Sequence, residues 1–130
     1  MIEFHLDRRS GVAPYQQVVK QVRHALRLGL LEIDEQLPTV KEVVASLAIN
    51  PNTVLKAYKE LEHLGLVVAR PGVGTFVTKT LRDDTLAAHG PLRKSLQRWL
   101  TQARRAGLDE ESIAALFRDV ARSSSAEDVA

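Results

Sequence analysis

The chain contains no cysteine, which excludes disulfide bonds and thiolate metal sites. No apolar run approaches the roughly 20 residues that a membrane-spanning helix needs, and the first 14 residues contain no apolar signal-peptide core. We therefore expect a cytoplasmic protein without a membrane partner. The four histidines, His5, His24, His63 and His89, are scattered without metal-ligand spacing, and no nucleophile motif accompanies them. The sequence thus predicts no catalytic residue, no metal and no cofactor.

A strong charge of one sign is also missing. The formal net charge of the 130 residues is +2 at pH 7. Residues 1–79 carry ten basic and eight acidic side chains, and residues 80–130 carry eight of each. Domains that bind nucleic acid are often more basic than this. A DNA-binding surface in this chain would have to be built from local positive charge.

The first third of the chain is expected to form a strand and a helix. Phe4 and Leu6 alternate with polar neighbours, which predicts a short edge strand over residues 2–7. Pro14 suits the first turn of a helix, and Gly29 marks its end. The apolar residues between them recur on one helical face: Val18, Val19, Val22, Ala25 and Leu26.

Two further helices are predicted on either side of a tight turn at residues 48–50. Thr39 suits the N-cap of the earlier helix, with Glu42 as its capping-box partner. Asn50 suits the N-cap of the later helix, with Pro51 as its first residue. The expected buried positions are Val40, Val43, Val44 and Leu47 in the earlier helix and Val54, Ala57, Tyr58, Leu61 and Leu64 in the later one.

A β-hairpin is predicted after these helices. Gly65 suits a helix C-cap, residues 66–68 are strand-like, residues 71–72 favour a turn, and residues 75–77 return as a second strand. The order is therefore helix, turn, helix, wing. We predict a mainly α protein with a small β-hairpin wing, in which a winged helix-turn-helix DNA-binding domain occupies residues 1–79.

The remaining residues, 80–130, are predicted to form a short two-helix dimerisation tail. Residues 80–90 fit either a linker or an early start of the fourth helix. Gly107 ends that helix, Asp109 can cap a last helix, and the chain is expected to fray from Ser123.

The apolar residues of the tail exceed what two helices can bury against each other, which favours a homodimer contact. Packing of the tail on the N-terminal domain is the alternative. The residues assigned to dimerisation are Leu92, Leu96, Trp99, Ile113 and Phe117.

The exposed face of the third helix is the candidate DNA-reading surface, because the N-terminal end of this helix enters the major groove in a helix-turn-helix. Asn52 can form two hydrogen bonds with adenine, and Lys41 and Arg70 can bind phosphate. Leu55 could touch a thymine methyl group or be half-buried. The complete set assigned to DNA binding is Thr39, Lys41, Asn50, Asn52, Thr53, Lys56, Arg70, Gly72, Gly74 and Thr75.

Each of these signals is weak when taken singly. Thr39 and Asn50 would occur in any pair of capped helices. Lys56 and Lys59 would also suit a solvated surface. The winged order within one block of residues is what points to double-stranded DNA as the partner.

As a set, these segments resemble the GntR family of bacterial transcription regulators. The resemblance covers about residues 4–78 and is carried by Pro14-Tyr15, Leu37 to Lys41, Asn50 to Val54, Ala57-Tyr58, Leu61, Gly65-Leu66 and Arg70 to Val77. It implies a winged helix-turn-helix regulator that binds operator DNA. Lys41 replaces the family's usual arginine, and Val73 replaces a frequent basic wing residue, so the family's usual operator sequence is not carried over.

The short tail resembles the YtrA branch of that family. This likeness implies a homodimeric repressor on a palindromic operator, in a branch that often controls genes for ABC transporters. Whether a small-molecule effector binds is left open. The alternatives are a winged-helix protein-interaction module without specific DNA binding, and an enzyme, which the missing nucleophile motif disfavours.

Overall fold

A computed structural model describes residues 2–81 and 89–129 of the chain. The chain divides into two compact units, Met1–Leu86 and Ala87–Ala130. The helices and strands of the first unit are α1 (Pro14–Arg27), α2 (Val40–Leu47), α3 (Pro51–His63), β1 (Val67–Arg70) and β2 (Gly74–Val77); those of the second are α4 (His89–Arg105) and α5 (Glu110–Val129). The question of a linker over residues 80–90 falls mainly outside the described residues.

Helix α3 is the centre of the first unit, because it packs against α1, α2 and β1. Its residues Val54, Ala57 and Leu61 are fully buried, as the helical spacing predicts. Leu64, also predicted to be buried, is instead 43% exposed. Helix α3 has ended at His63, so Leu64 no longer follows the buried face. In α2, which has only two turns, Val43 is the one fully buried residue among the four apolar positions that were predicted to be buried.

Residues 2–7 form no strand, so the predicted edge strand is wrong. The side-chain amide of Gln21 accepts a hydrogen bond from the His5 N–H at 3.0 Å and donates one to the His5 carbonyl at 2.6 Å. The buried Gln17 binds the N–H and the carbonyl of Asp7 at 2.8 and 2.9 Å. Two side chains of α1 therefore satisfy backbone groups that a neighbouring strand would otherwise pair.

The connection between α2 and α3 is closed by local hydrogen bonds. Thr39 Oγ1 accepts from the Glu42 N–H at 3.1 Å, as predicted for an N-cap. The Glu42 carboxylate, however, accepts from the Thr39 hydroxyl at 3.1 Å, and no bond from the Thr39 N–H completes the capping box. Ala48 ends α2 in the left-handed conformation, with φ 54°. The Tyr58 hydroxyl of α3 donates to the Pro38 carbonyl at 2.5 Å, which holds the start of α2 against α3.

The wing is an antiparallel hairpin in which Val67 pairs with Val77 and Arg70 with Gly74. Its tip is a β-turn closed by the bond from the Val73 N–H to the Arg70 carbonyl, with Pro71 and then Gly72 at φ 75° in the central positions. That pair of residues is typical of a type II turn. The hairpin therefore forms where the sequence predicts it, shifted by one residue at the start.

Residues 34–37 add a third backbone segment to the wing. The Asp34 N–H donates to the Val77 carbonyl, the Val77 N–H to the Glu35 carbonyl and the Leu37 N–H to the Thr75 carbonyl. The segment immediately before α2 thus supports β2 along its length. These bonds fix the wing relative to the start of α2.

The second unit is a pair of helices joined at Gly107. Ala103 and Ile113 are buried, and the Asp109 carboxylate caps α5 by accepting from the Ser112 N–H at 2.7 Å. That hydrogen bond keeps the pKa of Asp109 below its ordinary value. Helix α5 continues to Val129, so the expected fraying from Ser123 is wrong. Across residues 2–81 and 89–129, no helix has the length and apolar character needed to cross a bilayer.

Candidate nucleic-acid interface

Asn52 projects from the first turn of α3 and is exposed. Its side-chain amide makes no hydrogen bond with any residue in the described part of the chain, whereas its N–H donates to Asn50 Oδ1 at 2.8 Å. The Asn50 side chain is therefore committed to capping. The free amide of Asn52 has the donor and acceptor pattern that matches an adenine edge in the major groove.

The residues predicted on α2 lie at the start of that helix. Thr39 is exposed but is occupied by its hydrogen bonds with Glu42. Lys41 is exposed in the first turn and has no ion-pair partner among the residues described. Its charge and the positive end of the helix both favour an anion at this place.

Lys56 is held by an aromatic ring that sequence patterns alone did not assign to the site. Its Nζ lies 4.0 Å from the centroid of the Tyr15 ring on α1. A cation over a ring face is attracted by the ring's negative electrostatic surface. The Pro14-Tyr15 pair, which contributed to the family resemblance, was the available signal for this interaction. Thr53, beside this face, is half-buried.

Arg70 stands at the wing end of the site and is half-exposed. Its guanidinium lies 4.5 Å from the centroid of Phe76 and 4.0 Å from the Asp34 carboxylate. The side chains of this ion pair are 52% and 80% exposed, so water screens the attraction and leaves the guanidinium accessible to a phosphate. Spacing along the sequence could not reveal Asp34, because it reaches the wing through the backbone pairing with β2.

Glycine is favoured at the two wing positions, 72 and 74, for different structural reasons. Gly72 has φ 75° at the exposed turn, and a Cβ there would meet nothing within 4 Å. Gly74 has φ 144°, and a Cβ there would collide with the Gln36 side chain, which donates to the Val73 carbonyl at 3.3 Å. Gly72 therefore shapes the tip, and Gly74 allows Gln36 to pack closely. Thr75 follows in β2 and is half-buried.

The residues predicted for dimerisation differ in exposure. Leu92, Leu96 and Phe117 are 67%, 44% and 54% exposed, and Trp99 is half-buried. Ile113 is buried in the single chain. Leu116 and Val120, also on α5, are 39% and 54% exposed. The second unit therefore carries a large apolar surface among its described residues.

Two capped helices joined by a tight turn and followed by a braced hairpin define a winged helix-turn-helix. Within the described ranges, no group of three or more histidine and carboxylate side chains could hold a metal ion. The geometry thus defines a binding domain of the class whose second helix reads DNA.

The family comparison agrees with this class. Residues 14–77 match the model for bacterial regulatory proteins of the gntR family. The chain is 29% identical to the HTH-type transcriptional repressor YtrA of Bacillus subtilis, over 88% of this chain and 89% of that protein. It is 30% identical to the uncharacterised HTH-type transcriptional regulator YhcF of the same organism, over 81% of this chain and 87% of the relative. The chain belongs to the gntR family, and as such it is a DNA-binding transcription regulator, not an enzyme.

Solved structures show the same architecture. YtrA from Sulfolobus acidocaldarius, a GntR-family transcription factor, is 26% identical with a TM-score of 0.55, covering 75% of this chain and 97% of that one. The DNA-binding domain of AraR in complex with an operator is 26% identical with a TM-score of 0.50, covering 60% and 93% of the two chains. The winged helix-turn-helix fold, the GntR family and the likeness to YtrA, all predicted from the sequence, are confirmed.

Proposed function

We propose that the protein is a homodimeric repressor that reads a palindromic operator with α3. The observation that supports this most directly concerns Asn50 and Asn52. The Asn50 side chain caps α3 by accepting from the Asn52 N–H, whereas the Asn52 side chain is exposed and available to bind a base. The similar YtrA protein is a repressor, which supports repression rather than activation as the direction of regulation. Binding would take place in the cytoplasm.

The phosphate contacts proposed around this reading residue come from three elements. Lys41 would bind at the start of α2, Lys56 at the middle of α3 and Arg70 at the wing. Such contacts fix the register of a protein on the duplex without reading sequence. The remaining proposed contacts, which are polar side chains or close backbone approaches, are Thr39, Thr53, Gly72, Gly74 and Thr75.

The proposed dimer uses the apolar face of the second unit. Leu92, Leu96 and Phe117 are exposed in the single chain, and an apolar surface of this kind is typical of an interface with another protein. Trp99 would extend the same contact, and Ile113 would support it from beneath. A two-fold dimer presents two copies of α3 to two half-sites, which is why a palindrome is expected. Control of ABC transporter genes is part of the proposal through the resemblance to YtrA.

The function is tested by selecting bound fragments from a random DNA pool with the full chain at near-physiological salt. The expected result is an inverted repeat, with half-site centres one or more helical turns apart. Recovery of no shared sequence would contradict the proposal and favour the protein-interaction alternative. Repression is then measured with a reporter gene placed behind the selected sequence.

The dimer is tested separately by sedimentation of the full chain. We expect Phe117→Asp to shift the protein to monomer and to weaken operator binding. Leu30→Asp is the matched control, because Leu30 is similarly exposed, at 51%, but belongs to the first unit. A wild-type protein that sediments as a monomer at the concentration where it binds the operator would contradict the dimer.

A further inference from the structure

The exposed face of α1 carries a row of basic side chains that the proposed site does not use. Lys20, Arg23 and Arg27 follow one another at spacings of three and four residues, which places them on one helical face. They line a groove between α1 and α3 together with Tyr15, His24 and Glu60. Glu60 is the acidic side chain in this lining and comes from the α3 wall.

Among the residues that the structure describes, the three cations have no ion-pair partner. Like charges three or four residues apart on a helix repel each other and destabilise it. The row therefore favours a bound anion, because an anion would turn this repulsion into attraction.

The groove is continuous with the proposed DNA-binding face. It begins at Tyr15, whose ring contacts the ammonium group of Lys56 on α3. From Lys20 to Arg27 the helix rises about 10 Å at 1.5 Å per residue. Measured along the DNA axis, that length corresponds to about three phosphates of one strand. The row thus has the length and charge of a segment of DNA backbone, rather than the dimensions of a single small anion.

We propose that the exposed face of α1 binds the phosphate backbone of operator DNA beyond the base pairs contacted by α3 and the wing. Lys20, Arg23 and Arg27 bind the phosphates, and Glu60 keeps the backbone on the α1 side of the groove. This inference rests on the proposed function, because it requires α3 to dock in the major groove. It adds affinity and a longer footprint but no sequence preference, since the contacts are made to phosphate.

The test compares two variants of the full chain from which the same charges are removed. The first carries Lys20→Gln, Arg23→Gln and Arg27→Gln. The control carries Arg93→Gln, Lys94→Gln and Arg118→Gln in the second unit, where the same three side-chain types are exposed. All six positions are on the surface, so both variants keep the fold, which circular dichroism verifies. Binding to the selected operator is measured as a function of salt concentration on two duplexes. One is long, and the other is trimmed to the base pairs that α3 and the wing contact.

On the long duplex, the magnitude of the slope of log K against log salt is expected to fall for the α1 variant, by about 0.9 for each phosphate that it no longer binds. For the control variant the slope is expected to stay unchanged. On the trimmed duplex the α1 variant should match the wild type. Hydroxyl-radical footprinting should show that the variant no longer protects the DNA outside the trimmed pairs. These three results together support the inference.

Other outcomes overturn it. Equal slopes for the two variants on the long duplex would overturn the inference and leave the proposed function intact, provided that the wild type binds its operator. A second outcome is that inorganic phosphate raises the melting temperature of the wild type but not of the α1 variant, while the two variants show equal salt slopes for DNA binding. This result would show a small-anion site instead of a backbone contact. Failure of the wild type to bind any selected sequence would overturn the proposed function and the inference with it.

Discussion

Lys56 of α3 and Tyr15 of α1 are in direct contact, with the ammonium nitrogen 4.0 Å from the ring centroid. The contact joins the exposed face of α3 to the first turn of α1. It also orders a long side chain that would otherwise move freely, and an ordered cation loses less entropy when it binds a phosphate. Tyr15 is therefore expected to act on DNA binding through Lys56.

This interaction predicts a measurable coupling between the two side chains. In a double-mutant cycle of Tyr15→Leu and Lys56→Met, the coupling free energy from urea unfolding should be about 0.5–1 kcal/mol, as for an exposed cation over a ring. Lys59 is the control partner, because it is an exposed cation of α3 with no ring contact in the described structure. Additive effects in the Lys56 cycle, equal to those in the Lys59 cycle, would contradict the prediction.

The proposed division between base reading and phosphate binding predicts different effects at two positions. Asn52→Ala should cost about 1–3 kcal/mol of discrimination at one base pair, because alanine cannot form the two hydrogen bonds to the base. Lys41→Ala should weaken all sequences alike and lower the salt slope by about 1. Gln102→Ala, which removes an exposed amide from α4, should change neither. Unchanged operator affinity in both Asn52→Ala and Lys41→Ala would show that the docking is wrong.

The two wing glycines should respond differently to a side chain. Gly74→Ala should lower the free energy of unfolding by about 1–3 kcal/mol, because it forces a strained backbone conformation and displaces the Gln36 amide. Gly72→Asn should cost much less, since asparagine tolerates the left-handed region and the space around Gly72 is open. Thermal unfolding measures both, and operator titration shows whether the wing still docks. Equal destabilisation of the two variants would contradict this prediction.

The Tyr58 hydroxyl predicts a pH dependence of stability. Burial, and then the negative charge of Glu42, raise the pKa of Tyr58 above its ordinary value of 10.0. Because the pKa is higher in the folded state, the stabilisation is complete below about pH 10 and is lost as the pH rises from there towards the folded-state pKa. Tyr58→Phe should be less stable at neutral pH by about 1–3 kcal/mol, because the Pro38 carbonyl loses its donor.

The same variant should also lose less stability than the wild type between about pH 9 and 11, since it no longer carries the group that ionises on unfolding. Urea unfolding across that range measures both effects. Parallel pH profiles for the wild type and Tyr58→Phe would show that Tyr58 is not the group responsible.

Features governed by short-range chemistry could be predicted from the sequence. The N-caps at Thr39 and Asn50, the turn at Pro71-Gly72 and the buried face of α3 all depend on residues a few positions apart. Their order, helix, turn, helix and wing, was enough to predict the fold and the family. Such features do not require knowledge of what packs against them.

Only the tertiary structure decided the features that join distant segments. The predicted strand over residues 2–7 is absent because Gln17 and Gln21 of α1 take its backbone hydrogen bonds. Asp34 reaches Arg70, and Lys56 reaches Tyr15, only because β2 and α1 bring them together. The sequence by itself therefore determined the helices and the hairpin of the wing, since local hydrogen bonds and helical periodicity specify them. The packing of those elements determined which side chains remain free to bind, because that depends on partners far away in the chain.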